Sequence, residues 1–267
     1  MSAPEAARER ESRQPALFLT SPLLSALGVR HGFFMRAGGV SKVPFDSLNF
    51  SASVGDDPLS VQRNRELGAK ALGLSPERIF RVSQVHGSDV VVVRSADGGA
   101  ETARTPGDAV ISATPDTACG VVTADCVPIL LASRTSGHVA AVHSGWKGFV
   151  AGVLPRTIEV LRELGVQDLV AAIGPHISLE AFEVSEEVAA QLGSLVQGVD
   201  VVRPGDPRPH VDLRRLARAQ LEACGLGADA VDDVMGCTYL EPQRFFSFRR
   251  DGARSGRQLA AIVTREV

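Results

Sequence analysis

The stretch CGVVTADCVPILLASRTSGHVAAVHSG, residues 119–145, contains three short apolar runs separated by polar turn residues. Each run has the length and composition of a buried β-strand. The runs are Cys119–Thr123, Val127–Ala132 and His138–Val142, and similar ones occur at Val90–Val93, Leu169–Ile173 and Leu259–Val263. Residues 80–143 are therefore predicted to be strand and turn almost throughout.

Helical patterns lie mainly after residue 149, with one before the strands. Asp57 and Pro58 are typical of a helix start and predict a helix that runs to about Leu74. Later helices are predicted around Leu154–Leu164, over Ser185–Gln197 and from Asp212 to Gly225. Because strands and helices do not alternate strictly, the pattern favours an α+β fold of mixed sheets with outer helices over a doubly wound parallel sheet.

The composition is that of a globular protein, with 267 residues, 44% hydrophobic and 22% charged, and a formal net charge of −3. No apolar run approaches the ~18 residues that cross a bilayer. The slightly acidic balance provides no field that attracts nucleic acid or an anionic membrane, so neither is expected as a partner. The charges of residues 1–16 cancel, unlike those of a secretory signal. We predict a disordered tail over 1–16, a single domain over 17–267 and a cytoplasmic location.

Four cysteines are too few for a disulfide scaffold, and in the cytoplasm they are expected to be reduced. Each is then a packing residue, a metal ligand or a nucleophile. Cys224 falls at helical spacing from Leu221, Cys119 lies inside a predicted strand and Cys237 lies near one. These three are interpreted as packing residues, which leaves Cys126 as the cysteine with a candidate chemical role.

Three apolar segments end at a residue that can bind a metal, namely His86, Cys126 and His143. Two imidazoles and a thiolate leave a fourth tetrahedral position open, as catalytic zinc requires. Separations of 40 and 17 positions are not those of a zinc finger. The same residues are compatible with plain packing, or with a Cys126 nucleophile that uses His143 or His86 as its base.

Two regions carry groups suited to an anion. Residues 144–148, Ser-Gly-Trp-Lys-Gly, precede the predicted helix around Leu154, so backbone N–H groups and Lys147 can hold a phosphate; the alternative is a plain turn. Arginines crowd residues 244–257 and are interpreted as a solvated surface strand rather than a nucleic-acid surface. Arg36 follows a strand at Phe33-Phe34, and His176 follows another strand and can approach a site.

In combination, the motifs resemble the bacterial laccase-domain proteins of the YfiH type, also called multicopper polyphenol oxidases and described as purine nucleoside phosphorylases. The resemblance extends from about Leu17 to Val263. Its motifs include Arg30-His-Gly-Phe-Phe34, Arg36-Ala-Gly-Gly-Val-Ser41, Gln84-Val-His-Gly87, Gly107-Asp-Ala109, Ala124-Asp-Cys126-Val-Pro128, His143-Ser-Gly-Trp-Lys-Gly148 and Phe246-Ser-Phe-Arg-Arg250.

The resemblance implies a layered α/β/β/α fold with mixed sheets, shared with the cytotoxic-necrotizing-factor deamidase toxins. It also implies a zinc ion on His86, Cys126 and His143. Members are similar in splitting adenosine, inosine, guanosine and methylthioadenosine with phosphate, and in deaminating adenosine. Some members are described instead as peptidoglycan-editing amidases that act on a muramyl precursor through a Cys/His site.

A phosphorylase of this kind takes a nucleoside and phosphate as its partners. The residues expected to bind phosphate are Arg36, Lys147, Arg249 and Arg250. Asp125 is either the acid that protonates the leaving base or, equally, a residue that orients an imidazole. Polyphenol oxidation is disfavoured, because six histidines without a His-x-His pair cannot build both laccase copper sites, and copper is expected only in vitro in a zinc-like site. The sequence predicts no oligomeric state.

Overall fold

The computed structural model describes residues 17–94 and 98–265. The tail predicted over residues 1–16 lies outside the described residues and stays a prediction. Within these two ranges, no helix combines the length and the apolar character needed to cross a membrane.

The strands and helices of the described residues are as follows. The strands are β1 (Phe18–Leu19), β2 (His31–Phe34), β3 (Ile79–Phe80), β4 (Val90–Val93), β5 (Ala109–Ser112), β6 (Ala118–Thr123), β7 (Val127–Ser133), β8 (Val139–Ser144), β9 (Leu169–Ile173), β10 (Val202–Arg203), β11 (His210–Val211), β12 (Val231–Asp233) and β13 (Gln258–Val263). The helices are α1 (Pro22–Ala26), α2 (Pro58–Ala71), α3 (Gly99–Thr102), α4 (Trp146–Ala151), α5 (Val153–Glu163), α6 (Glu186–Gly193), α7 (Leu213–Ala223) and α8 (Phe248–Asp251).

The strands form two main sheets and one small pair. The first sheet has the order β1-β2-β13-β6-β3, the second has the order β12-β9-β7-β8-β5-β4, and β10 pairs with β11. In the first sheet β6 pairs parallel with β3 and antiparallel with β13. In the second, β5 pairs parallel with β4 and antiparallel with β8. Both sheets are mixed, as the order of elements in the sequence predicted.

The alternation of side chains along β13 shows how the layers form. Ala260 and Ile262 belong to the main core between the sheets, whereas Leu259 and Ala261 belong to a second cluster on the outer face of the first sheet. Successive strand residues point to opposite faces, so one strand serves both clusters. Helix α2 covers the outer cluster through Ala69, and α5 covers the second sheet through Ile158. The layers are therefore α/β/β/α.

Helix starts were predicted more accurately than helix ends. Asp57 and Asp212 each accept a hydrogen bond from a backbone N–H three residues on, which is the N-cap interaction that their positions predicted. The helix predicted to reach Leu74 ends at Ala71, and the one predicted over Ser185–Gln197 is confined to Glu186–Gly193. These C-terminal boundaries carry weaker sequence signals than caps do.

The connection between β6 and β7 positions the site. Strand β6 lies in the first sheet and ends at Thr123, and β7 lies in the second sheet and begins at Val127. Ala124, Asp125 and Cys126 therefore carry the chain from one sheet to the other.

Candidate metal centre

Three distant side chains meet where the chain crosses between the sheets. Cys126 lies in the β6–β7 connection, His143 lies in β8, and His86 lies in the loop after β3. The antiparallel register of β7 and β8 places Pro128 opposite His143, which brings the end of β8 beside the connection.

The structure brings one ligand atom of each of these residues to within 4.8 Å of the others. The Sγ atom of Cys126 lies 3.9 Å from Nε2 of His86. The two imidazole rings pack edge to face, with centroids 4.8 Å apart.

Asp108 organises this cluster and was not singled out by the sequence reasoning. Its buried carboxylate accepts a hydrogen bond from Nδ1 of His143 at 2.8 Å. The same carboxylate accepts backbone N–H groups of Val85, His86 and Gly87 at 3.2, 3.0 and 2.7 Å. Because Asp108 holds a proton on Nδ1 of His143, Nε2 is the nitrogen that can give up its proton and bind a metal. The signal for this residue in the sequence is the motif Gly107-Asp-Ala109.

Backbone conformation at the cluster is unusual. Positive φ angles occur at His86 (61°) and Asp125 (98°), a conformation that L-residues rarely adopt. Gly145 is needed for a different reason. A Cβ atom added there would lie 2.8 Å from Sγ of Cys126 and 3.1 Å from Cδ2 of His86, so only glycine permits this close approach.

The electrostatics favour a thiolate. Burial opposes ionisation of Cys126, but the charge and hydrogen bond of His143 outweigh it and lower the pKa of the thiol to about 6. Burial likewise opposes protonation of His143, yet the thiolate and Asp108 raise its pKa to about 9. The thiolate is the form of cysteine that binds metals and attacks electrophiles.

The donor set can hold a metal ion. His143 is buried, Cys126 is half-buried and His86 is exposed, so the cluster is closed on one side and reachable from solvent on the other. Three nitrogen and sulfur ligands with an accessible remaining side are typical of catalytic rather than structural zinc sites. The residues present therefore fit the ion that the resemblance implies.

Asp125 is held by hydrogen bonds to other parts of the protein. Its carboxylate accepts the hydroxyl of Thr238 at 2.7 Å and the backbone N–H of Arg249 at 2.6 Å. Among the described residues, no hydrogen bond joins it to His86 or His143. Asp125 thus fixes the start of α8 next to the β6–β7 connection.

Two of the expected phosphate-binding arginines are engaged with backbone carbonyls. Arg36 donates to the carbonyl oxygens of Asp46 and Pro242, each at 2.9 Å, and pairs with the Asp46 carboxylate. Arg250 donates to the carbonyl oxygens of residues 238, 239 and 245. Both guanidinium groups stabilise loops around the site, which leaves few of their N–H groups for a ligand.

The other two predicted cations are more accessible. Arg249 donates one bond to the carbonyl of Glu183 at 2.8 Å and stacks on Phe182. Lys147 is exposed and belongs to α4, which begins at Trp146. The prediction that residues 144–148 precede the helix is therefore wrong from Trp146 onward, and so is the alternative of a plain turn. The helix forms because Phe149 is fully buried and anchors it.

The interpretation of residues 244–257 as a surface strand is also wrong. This segment contains α8, and Phe245 and Phe246 are buried. His176 is likewise a core residue, 2% exposed, with Nδ1 bonded to the carbonyl of Gly174. The four cysteines are free thiols; Cys119 and Cys237 are buried and Cys224 is half-buried.

Arg257 is the cation that sequence reasoning missed at the site. Burial lowers the pKa of its guanidinium, while the negative charges of Cys126 and Asp125 act in the opposite direction. Its Cζ atom lies 5.6 Å from the ring centroid of Phe248, which is 52% exposed. Arg257 lies one position before β13, and its place at the start of a strand is the feature of the sequence that could have identified it as a site residue.

The chain is similar to known proteins over nearly its whole length. It is 42% identical over 238 residues to a purine nucleoside phosphorylase of Streptomyces coelicolor, covering 88% of this chain and 95% of that protein. It is 39% identical over 221 residues to the purine nucleoside phosphorylase YfiH of Escherichia coli, covering 81% and 86%.

Solved structures agree with the fold. YlmD from Geobacillus stearothermophilus superposes with a TM-score of 0.87 at 30% identity, covering 94% of this chain and 100% of that one. The Bacillus licheniformis protein YfiH superposes with a TM-score of 0.85 at 27% identity, covering 89% and 93%. Residues 30–265 match the family described as Multi-copper polyphenol oxidoreductase laccase. The chain therefore belongs to this laccase-domain family of the YfiH type.

Proposed function

We propose that this protein is a zinc-dependent purine nucleoside phosphorylase. The observation that carries the proposal is the His86, Cys126 and His143 cluster, in a chain whose relatives at about 40% identity are named purine nucleoside phosphorylases. Its substrates would be adenosine, inosine, guanosine or methylthioadenosine with phosphate, and its products the free base and ribose 1-phosphate. Deamination of adenosine would be a side activity.

His86, Cys126 and His143 would hold the zinc ion, which when bound supplies a Lewis acid toward the substrate or its water. Asp108 keeps the proton of His143 on Nδ1 and at the same time fixes the loop of His86 through its three backbone N–H groups. Both imidazoles are thus oriented by one carboxylate.

Phosphate would be bound by the exposed cations Lys147 and Arg249 and by the half-buried Arg257. Arg257 interacts electrostatically with Cys126, and Lys147 lies exposed in the helix that begins three residues after His143. The half-exposed ring of Phe248 offers an apolar face to a ribose or a purine. Asp125 acts as a positioning residue, because Thr238 and Arg249 already occupy its carboxylate.

The Cys126, His143 and Asp108 arrangement supports a second candidate function. Cys126 would be the nucleophile, His143 its base and Asp108 the carboxylate that orients the base, as in cysteine hydrolases. The lowered pKa of Cys126 and the 2.8 Å bond between His143 and Asp108 fit this arrangement. The metal-free protein would then be an amidase acting on muramyl–amino acid precursors. Oxidation of phenols is not proposed, because the described residues contain one group of three metal-competent side chains and a laccase needs two separate copper sites.

The test is to incubate protein purified without added copper with adenosine, in the presence and absence of phosphate. Phosphate-dependent loss of adenosine with formation of ribose 1-phosphate supports the phosphorylase. Conversion to inosine alone, without need of phosphate, indicates a deaminase. Cleavage of muramyl–amino acid substrates with nucleosides left intact supports the amidase. Metal analysis of the same preparation assigns the ion.

A further inference from the structure

Two arginines share an open cleft on the outer face of the first sheet, and none of the three candidate metal ligands lines it. Arg65 projects from α2 and Arg81 follows β3. The cleft is lined by Phe50, Arg65, Pro76, Ile79, Arg81 and Leu259. Ile79 and Leu259 belong to the outer cluster, so the cleft opens on the face turned away from the second sheet. We call it the Arg65–Arg81 cleft.

The two guanidinium groups depend on a single acceptor. Nε and Nη2 of Arg65 both lie 3.4 Å from the carbonyl oxygen of Phe50, and Nη1 of Arg81 lies 3.3 Å from the same oxygen. These distances exceed the usual ~2.7–3.2 Å of such bonds, and one carbonyl cannot satisfy two guanidinium groups. Among the described carboxylates, none lies within 4.0 Å of a nitrogen of either arginine.

Two other half-buried arginines of this protein are neutralised by a carboxylate. Arg214 and Arg218 both pair with the carboxylate of Asp233, at 3.2 and 2.9 Å. In the Arg65–Arg81 cleft, by contrast, burial and then the charge of Arg65 lower the pKa of Arg81 to about 10. Burial also lowers the pKa of Arg65. Two like charges withdrawn from water without a counter-ion cost free energy, and a bound anion removes that cost.

We propose that the Arg65–Arg81 cleft binds a phosphate group, either as inorganic phosphate or as a phosphate ester. Guanidinium forks match phosphate oxygens in pairs, and two forks that face one space can bind one phosphate group together. The site is independent of the metal centre and of the proposed phosphorylase activity.

The test is thermal unfolding of the metal-loaded protein with inorganic phosphate or phenyl phosphate, at ionic strength held constant with sodium chloride. Near ten times the dissociation constant, ligand is expected to raise the Tm by about 3 °C. The double variant Arg65→Gln/Arg81→Gln is expected to lose most of this rise, and any rise that it keeps reports phosphate bound near the metal centre, as proposed above for the phosphorylase. Lys70→Gln, which removes an exposed charge from the same helix, is the matched control and keeps it. Comparing the two ligands shows whether free or esterified phosphate binds more tightly.

The variant Cys126→Ser separates this site from the metal centre, since it is expected to lose metal and yet to keep the phosphate-induced rise. Arg81→Gln is expected to leave phosphorolysis unchanged. Should the double variant not fold, Arg81→Leu serves in its place. Without phosphate its Tm should equal or exceed that of the parent, because a repelling charge is gone. An equal phosphate-induced rise in parent and arginine variants, or loss of the rise in Cys126→Ser, would overturn the proposal.

Discussion

Asp108 and His143 form a buried pair in which a carboxylate oxygen lies 2.8 Å from the imidazole Nδ1. The remaining acceptor positions of that carboxylate are taken by the backbone of the His86 loop. One side chain thus fixes two of the three candidate ligands, and its replacement is predicted to act on both.

Asp108→Asn is therefore expected to weaken zinc binding by about 10–100-fold, since an amide offers one acceptor oxygen where the carboxylate offers two. Competition with a chromogenic chelator measures the affinity. Asp116→Asn is the matched control, because it makes the same chemical change at an exposed residue. Asp116 has a positive φ, which asparagine tolerates. Unchanged affinity in Asp108→Asn would show that the carboxylate does not orient the ligands.

Cys126→Ala is expected to reduce the zinc content from about one ion per chain to nearly none, because two imidazoles alone hold zinc weakly. Elemental analysis of protein purified without added metal measures the change. Cys224→Ala, a substitution of a half-buried cysteine at the end of α7, should keep full zinc content. Zinc retained in Cys126→Ala would remove this cysteine from the ligand set.

Gly145→Ala is expected to disrupt the centre while the fold persists. Its backbone is extended (φ −79°, ψ 176°), so alanine is not strained there, but the added Cβ would press on Cys126 and His86. Gly148→Ala, whose Cβ meets nothing closer than 3.4 Å, is the control in the same segment. We expect activity and zinc affinity to fall at least tenfold in the first variant only, with Tm values within a few degrees of each other.

Acid is expected to destabilise the protein partly through His176. Burial, and next the charge of Arg214, lower the pKa of this imidazole to about 3, whereas in the unfolded chain it titrates near 6.5. The unfolded state therefore binds more protons below that pH, and stability is lost as the pH falls. From about pH 7 to about pH 5 the loss is about 2 kcal/mol for this one group.

Urea unfolding of the parent and of His176→Asn isolates this contribution. The asparagine amide can replace the Nδ1–H group that bonds to the carbonyl of Gly174. Between about pH 7 and about pH 5, the free energy of unfolding of His176→Asn should fall by about 2 kcal/mol less than that of the parent. An equal fall in the two proteins would contradict the assignment. Protonation of the metal ligands affects both proteins alike and cancels in the comparison.

The fold was largely predictable because its strongest signals are local. Val90–Val93 and Leu169–Ile173 have the predicted bounds, since short apolar runs between turn residues have few alternatives to strand. Helix α4 was missed because glycines surround its sequence and the buried Phe149 that stabilises it gives no local signal. Tertiary packing overrides propensity at such places.

The site was predictable only in part. The three candidate ligands were found because their residue types are distinctive, and the resemblance placed them together. The role of Asp108 depends on contacts that join residues more than twenty positions apart. The engagement of Arg36 likewise depends on Pro242, at the other end of the chain. Partners of this kind are fixed by the tertiary fold and leave no periodic pattern in a single sequence.

The passage of the chain through Ala124, Asp125 and Cys126 has a consequence for assembly. The pairing of β7 with β8 in the second sheet brings His143 beside Cys126, whereas His86 follows β3 of the first sheet. A metal ion bound by these three residues would link the first sheet to the second. Metal uptake during refolding should therefore report the packing of one sheet against the other. Removal of the metal by a chelator should weaken the contact between the sheets before either sheet unfolds.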